Sequence, residues 1–225
     1  MKMRIKKLKL GYENLTEDKA RIIAHLIGDG CVYRSGLTNY IMKLEVKDEE
    51  SLIQFEKDLI TVYGLKPLRG FNPSGKTGEL IPFVLLRAKR AYEDLLSYCD
   101  FRSATWFVPA EIFNANLSIK KEFLRALFDD EGTAIRIGKR VEIRLYSINY
   151  NGLSQIQLLL QDFDLQSKMR TGYGCKRNVY GLIMLDSHSF GKKIGFNLQR
   201  KQSKLEETGE RENTSPSPAS PPSQI

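Results

Sequence analysis

The sequence predicts an α+β protein of two pseudo-symmetric halves, each running α-β-β-α-β-β-α, with one helix from each half packed together at the centre. Three observations carry this. An apolar, helix-forming run ending in an acid and a glycine occurs twice, as Ile22–Gly30 (IIAHLIGDG) and Leu124–Gly132 (LRALFDDEG). The copies agree in register, because Ala24 precedes Asp29 by the spacing that separates Ala126 from Glu131. The same order of helical and strand patterns then follows each copy. Repetition at this scale implies a pseudo-two-fold molecule with a site on its axis. The expected divisions are a first half over 1–101, a connector over 102–117, a second half over 118–200 and a polar tail over 201–225.

The first motif helix opens at Thr16, a good N-cap, with Glu17 and Asp18 at its positive end. Ala20, Ile23, Ala24 and Ile27 form one apolar face, which Ile22 and Leu26 widen as in a fully buried helix. Ala24, Gly28 and Ala126 are small, and small residues let two helix backbones come close. Cys31–Arg34 reads as a strand turning at Ser35-Gly36. Tyr40–Lys47 alternates, with Ile41, Lys43, Glu45 and Lys47 outward and Tyr40, Met42, Leu44 and Val46 inward. Asp48 to Tyr63 is a helix turning Leu52, Phe55, Leu59 and Ile60 inward, stopped by Gly64. A hairpin over Leu65–Phe71 and Glu79–Arg87 and a helix over Ala88–Tyr98 complete the half.

Trp106 anchors the connector, and Ser118 is placed to cap the second motif helix. Strands over Thr133–Ile137 and Arg140–Tyr146, a helix over Asn151–Phe163, strands over Gln166–Thr171 and Val179–Leu185, and a helix over Ser187–Asn197 repeat the order. In Arg140–Tyr146, Val141, Ile143 and Leu145 face inward and Arg140, Glu142, Arg144 and Tyr146 outward. Gln199–Glu210 extends as a polar helix. Asn213–Ile225 is rich in Pro and Ser, and is expected to be disordered.

Composition narrows the function. The 225 residues are 41% hydrophobic, enough for real cores. No apolar run approaches a membrane span, and the basic start lacks a signal-peptide core, so a cytoplasmic or nucleoid-associated protein is expected. Cys31, Cys99 and Cys175 make neither a disulfide framework nor a zinc pattern. With His25 and His188 the only histidines, a His-centred hydrolase is disfavoured. The net charge is +8, and the tail from Lys201 holds more acids than bases, so the excess lies on the folded part. A basic fold suits a polyanionic partner.

The motif ends carry the chemistry. Helix C-termini carry about −0.5 charge and disfavour acids, yet Asp29 and Glu131 are expected in the last turns of their helices. If the helices pack through Ala24 and Ala126, both acids converge. Two such charges ~4 Å apart repel by about 4 kcal/mol at an effective dielectric near 20. A cation is required, and an oxygen-only ligand set selects Mg²⁺, with Mn²⁺ as a substitute. Carboxylates holding such an ion beside a phosphate are the ingredients of phosphodiester hydrolysis.

Ile22–Gly30 and Leu124–Gly132, with the duplicated topology around them, resemble the LAGLIDADG homing endonucleases of the single-chain, archaeal intron-encoded type. The resemblance runs from about Thr16 to Asn197. It implies a saddle of two four-stranded antiparallel sheets in the DNA major groove, a monomeric Mg²⁺-dependent endodeoxyribonuclease, and double-strand cleavage at a long pseudo-symmetric site. It also implies metal binding by Asp29 and Glu131, with Gly28 and Asp130 at the neighbouring motif positions. Members often carry a lysine near the site at the end of a half's second strand. Lys47 fits this, whereas Ser147-Ile148-Asn149 has none and leaves Asn149 to position water. Outward strand residues expected on DNA are Arg34, Lys43, Lys47, Arg69, Arg87, Arg136, Arg140, Arg144, Tyr146, Lys168 and Arg170. Lys76, Lys139, Lys176 and Arg177, in turns, are placed for phosphate. An intron-RNA maturase and a non-catalytic DNA-binding regulator are the competing readings. The chain lacks an initiating Cys or Ser and a closing His-Asn, so an intron-encoded enzyme is expected rather than a spliced intein.

Overall fold

Two four-stranded antiparallel sheets and the helices over them account for the chain in the computed structural model, which describes residues 8–213 apart from 76, 139, 174 and 175. Lys76, Lys139, Cys175, the side chains of Lys176 and Arg177, and residues 214–225 of the tail lie outside the described residues. The first half runs α1 (Glu17–Ile27), β1 (Gly30–Ser35), β2 (Asn39–Glu45), α2 (Glu49–Tyr63), β3 (Leu68–Pro73), β4 (Leu80–Arg87) and α3 (Lys89–Tyr98). The connector holds a short helix, α4 (Ala110–Phe113). The second half runs α5 (Leu117–Glu131), β5 (Gly132–Ile137), β6 (Arg140–Ser147), α6 (Tyr150–Gln161), β7 (Ser167–Tyr173), β8 (Lys176–Met184) and α7 (Ser187–Lys193), followed by α8 (Gln199–Asn213). The sheet orders, β1-β2-β4-β3 and β5-β6-β8-β7, are identical in form.

Local signals account for the helix starts. Thr16 Oγ1 accepts from the Lys19 amide at 3.2 Å and caps α1, as expected. At α5 the cap is Asn116, not Ser118: Asn116 Oδ1 accepts from the Ile119 amide and from the Ser118 hydroxyl. Asn outcompetes Ser here because its carbonyl reaches the third amide while the hydroxyl has only Asn116 to bond. Ile60, expected inside, is exposed, while Leu52, Phe55 and Leu59 are buried.

Helices α1 and α5 pack against each other through small residues. Ala24 and Ala126 are fully buried. Gly28 is the tightest point, since a Cβ there would lie 2.8 Å from the Asp130 Cβ. Arg21 ties the halves together, donating from Nη1 to Glu122 at 2.8 Å and from Nε and Nη2 to buried Asp58 at 2.9 and 2.8 Å. Trp106 anchors the connector, its ring lying where a side chain at Gly152 would otherwise sit.

Sheet register decides which cations face outward. Partners across a ladder point to one side. Lys43 pairs with Leu85 and Leu85 with Leu68, so these share the open face. Arg69 pairs with Val84, the partner of fully buried Leu44, so Arg69 is on the helix side. There it bonds Glu49 and Glu56 of α2, both at 2.5 Å. Arg34 pairs with Tyr40 and lies 5.2 Å over its ring, and Tyr40 meets Tyr92 of α3. Arg136 pairs with buried Val141. The expected outward placement of Arg34, Arg69 and Arg136 is therefore corrected. Arg34 and Arg136 fail together because they stand five residues after Asp29 and Glu131, in matching places of the repeat.

Candidate functional site

Three successive acids at the end of α5 take three different directions, as residues about 100° apart on a helix must. Asp129 is buried and accepts from the Asn197 and Leu198 amides at 3.1–3.2 Å, fixing the loop before α8. Asp130 turns toward α1 and meets His25 Nδ1 at 2.9 Å, both side chains only 2% exposed. Glu131 turns toward Asp29, which stands in the turn after α1 because that helix closes at Ile27. Neither the Asp29 nor the Glu131 carboxylate has a hydrogen-bond or ion-pair partner among the described residues.

The electrostatics follow from this arrangement. Burial, then the Asp29 and Asp130 charges, push the Glu131 carboxyl up to about 7. Asp29 is raised to about 6, by its recessed setting first and by Asp130 second, and solvent on its open side tempers the effect. Lys201 acts against both shifts. Burial depresses His25, but Asp130 outweighs it, so the imidazole sits above its ordinary range.

The donor set fits a hard divalent cation. Two unpartnered carboxylates that raise one another's proton affinity are stabilised by positive charge, and oxygen donors suit Mg²⁺ or Mn²⁺. Among the described residues no cluster of three or more His, Cys, Asp or Glu side chains forms a metal site. The remaining ligand positions of such an ion would fall to water and to backbone carbonyls.

Two expected site residues do not reach this centre. Asp130, taken as a metal neighbour, is spent on His25 and packs against Gly28. Asn149, taken to position water, is 5% exposed. Its Oδ1 accepts from the Gly152 amide at 3.0 Å and caps α6, and its Nδ2 donates to the Trp106 carbonyl at 2.6 Å. Its carbonyl oxygen and one of its two amide hydrogens are thus spent on the fold, and its burial keeps it from solvent. Lys47 lies just beyond β2, exposed and paired with Glu79 at 2.5 Å. A cavity of about 260 Å³ opens beside Glu131, walled by Tyr146, Ser147, Ile148 and Trp106 among others.

Sequence reasoning missed His25 and Lys201. His25 had a signal, a lone polar residue on the face that Ile22 and Leu26 make apolar. Lys201 had none, because the rise from tail to core is decided by tertiary contact.

The open faces carry the remaining cations. The first sheet presents Lys43 and Arg87 beside Tyr33 and Phe83, with the Lys43 ammonium 5.0 Å over the Phe83 ring. The second presents Arg140, Arg144, Tyr146, Lys168 and Arg170. Arg144 bonds Glu142 and donates to Tyr146 Oη at 3.3 Å. The second face is the more basic of the two.

Comparison with known proteins agrees with this geometry. The LAGLIDADG-like domain family matches residues 118–195. The chain is 33% identical over 205 residues to elongation factor 2 of Methanopyrus kandleri, covering 88% of this chain and 14% of that protein. It is 23% identical over 189 residues to an uncharacterised protein of Methanocaldococcus jannaschii, covering 80% of this chain and 21% of that one. The chain thus spans about a fifth or less of the curated relatives it matches. Among solved structures, the homing endonuclease I-WcaI bound to its DNA recognition sequence superposes with a TM-score of 0.63 at 13% identity, over 86% of this chain and 90% of that one. I-DmoI in complex with DNA and Mn gives 0.57 at 15% identity, over 81% and 98%. The full-length DUF199/WhiA protein of Thermatoga maritima gives 0.58 at 12% identity, over 93% and 64%. The second half thus carries a LAGLIDADG-like domain, and with its duplicated motif, paired four-stranded sheets and central helix pair the chain has the two-half fold of these single-chain homing endonucleases.

Proposed function

We propose that the protein is a site-specific DNA endonuclease that makes double-strand breaks in a long, pseudo-symmetric site. The observation that carries this is the pair of unpartnered carboxylates, Asp29 and Glu131, one at the end of each central helix and both raised toward neutrality. Asp29 and Glu131 would hold the divalent cation, Mg²⁺ or Mn²⁺. When bound, the ion supplies an activated water and charge compensation for the departing 3′-oxygen. The chain's own residues do the rest. Arg140, Arg144, Lys168 and Arg170 on one sheet, and Lys43 and Arg87 on the other, line the open faces and suit base edges in a major groove. Lys47 remains the polar group proposed for the first-half centre. Both acids belong to one chain, so a monomer suffices.

The segment matches parts of proteins as different as elongation factor 2 and a DNA polymerase, which supports a portable unit rather than a part of either activity. Several structural neighbours are described in complex with DNA, which favours DNA over intron RNA as the partner. A non-catalytic regulator of the same fold would have no need of the crowded acid pair, which favours the nuclease over that reading. The test is a cleavage selection on a pool of randomised duplexes with and without Mg²⁺. Recovery of cut duplexes sharing one sequence only with Mg²⁺ is expected. A bound, uncut consensus would overturn the nuclease reading in favour of a regulator.

A further inference from the structure

Lys201, in the first turn of α8, is 3% exposed and far in sequence from the motif it meets. Its ammonium donates to the Phe128 carbonyl at 3.1 Å, the Gly132 carbonyl at 2.5 Å and the Asp129 carbonyl. An ammonium has three hydrogens, and three acceptors use them. Lys201 therefore has no proton to offer a substrate, and all its bonds go to the end of one helix. That end carries the negative pole of α5, and Glu131 with it. The same charge acts on both members of the acid pair.

The helix is anchored independently of these bonds. Arg200 makes a two-pronged bond to Asp48, both contacts at 2.7 Å, and the Gln199 amide donates to Glu50 at 3.1 Å. Both acceptors belong to the first half. Lys204 donates to the Ala134 carbonyl in β5 at 3.1 Å. Lys201 is thus held from both halves at once.

We propose that Lys201 is a positioning residue for the metal-holding pair: it fixes the last turn of α5 and sets a positive charge behind Asp29 and Glu131 without occupying their oxygens. The inference rests on the reading of that pair as a divalent-cation site. The logic is one of placement. A lysine bonded directly to Glu131 would neutralise it and block its lone pairs. A lysine bonded to the carbonyls behind it lowers the repulsion and leaves the ligand atoms open. It also leaves the two halves unequal. Among the described residues no lysine bonds the end of the first motif helix, which has instead the His25–Asp130 pair in its last turn.

The test compares wild type, K201M, K201Q and K201R. Mn²⁺ binding to the protein–duplex complex is followed by electron paramagnetic resonance, and the Mg²⁺ dependence of cleavage is measured beside it. K201Q can still donate to the carbonyls and keeps the test valid should K201M fail to fold. In K201M and K201Q, Mn²⁺ affinity should fall about ten- to a hundredfold with duplex affinity unchanged. The Mg²⁺ needed for half-maximal cleavage should rise in step, and K201R should recover most of the loss. Unchanged Mn²⁺ affinity in K201Q, or equal impairment of K201Q and K201R, would overturn the proposal. A wild type that binds duplex yet takes up no Mn²⁺ would instead overturn the underlying reading, and this inference with it.

Discussion

Asp29 and Glu131 carry the functional reading, and each is open to a direct test. D29N and E131Q should abolish cleavage while leaving duplex binding intact, as gel-shift and cleavage assays on the selected site would show; full activity in either would end the two-carboxylate account. Their proton affinities also set a pH dependence. Folded pKa values of about 6 and 7 lie above the ordinary carboxylate range, and His25 is raised too. Such groups bind protons more tightly folded than unfolded. The stabilisation from the two acids is complete below about pH 4 and lost as pH rises through about 7, while that from His25 is complete below its ordinary value near 6.5 and lost above it. The metal-free protein should therefore melt higher near pH 5.5 than near pH 7.5, and saturating Mg²⁺ should shrink the difference. A melt flat in pH without metal would contradict the crowding of these acids. At the same scale, H25A leaves Asp130 buried without its partner and should cost about 3–5 kcal/mol by denaturant unfolding. At single positions the sequence was readable only in part. The acids of the centre announced themselves by breaking the helix-end charge preference. Asp130 and Asn149 did not reveal their partners, because His25 and Trp106 reach them only through the tertiary fold.

At the scale of elements, periodicity carried most of the fold. The alternation in β2 and β6 and the apolar stripe of α1 placed strands and helix where they stand. What periodicity does not carry is the parity of a short strand. β1, β3 and β5 are short and weakly patterned, so an arginine there looks outward by chemistry alone. Ladder partners put Arg34, Arg69 and Arg136 on the helix side instead. Close packing of α1 on α5 makes its own prediction. Gly28→Ala would drive a methyl into Asp130, which is held in turn by His25. Overpacking of this kind should cost about 1–3 kcal/mol, read from thermal or denaturant melts. An unchanged midpoint would show that the helix pair has slack.

Over the whole molecule the duplication is close in topology and unequal in chemistry. The second sheet's open face is the more basic, and Ile148 stands where the first half has Lys47 relative to its sheet. The two strands of a bound duplex should accordingly be cut at different rates, with a nicked intermediate accumulating in a time course on supercoiled plasmid; simultaneous linearisation would argue for equivalent centres. Duplex affinity should also fall steeply with salt, since the open faces are basic. The carbonyls closing α5 receive the Lys201 ammonium, and Asp48 receives Arg200, from a helix that follows every strand of both sheets. Chains fold from the N-terminus as they leave the ribosome. The acid pair is therefore finished late in translation, and a nascent chain stalled before α8 carries both motifs without the cation that sits behind them.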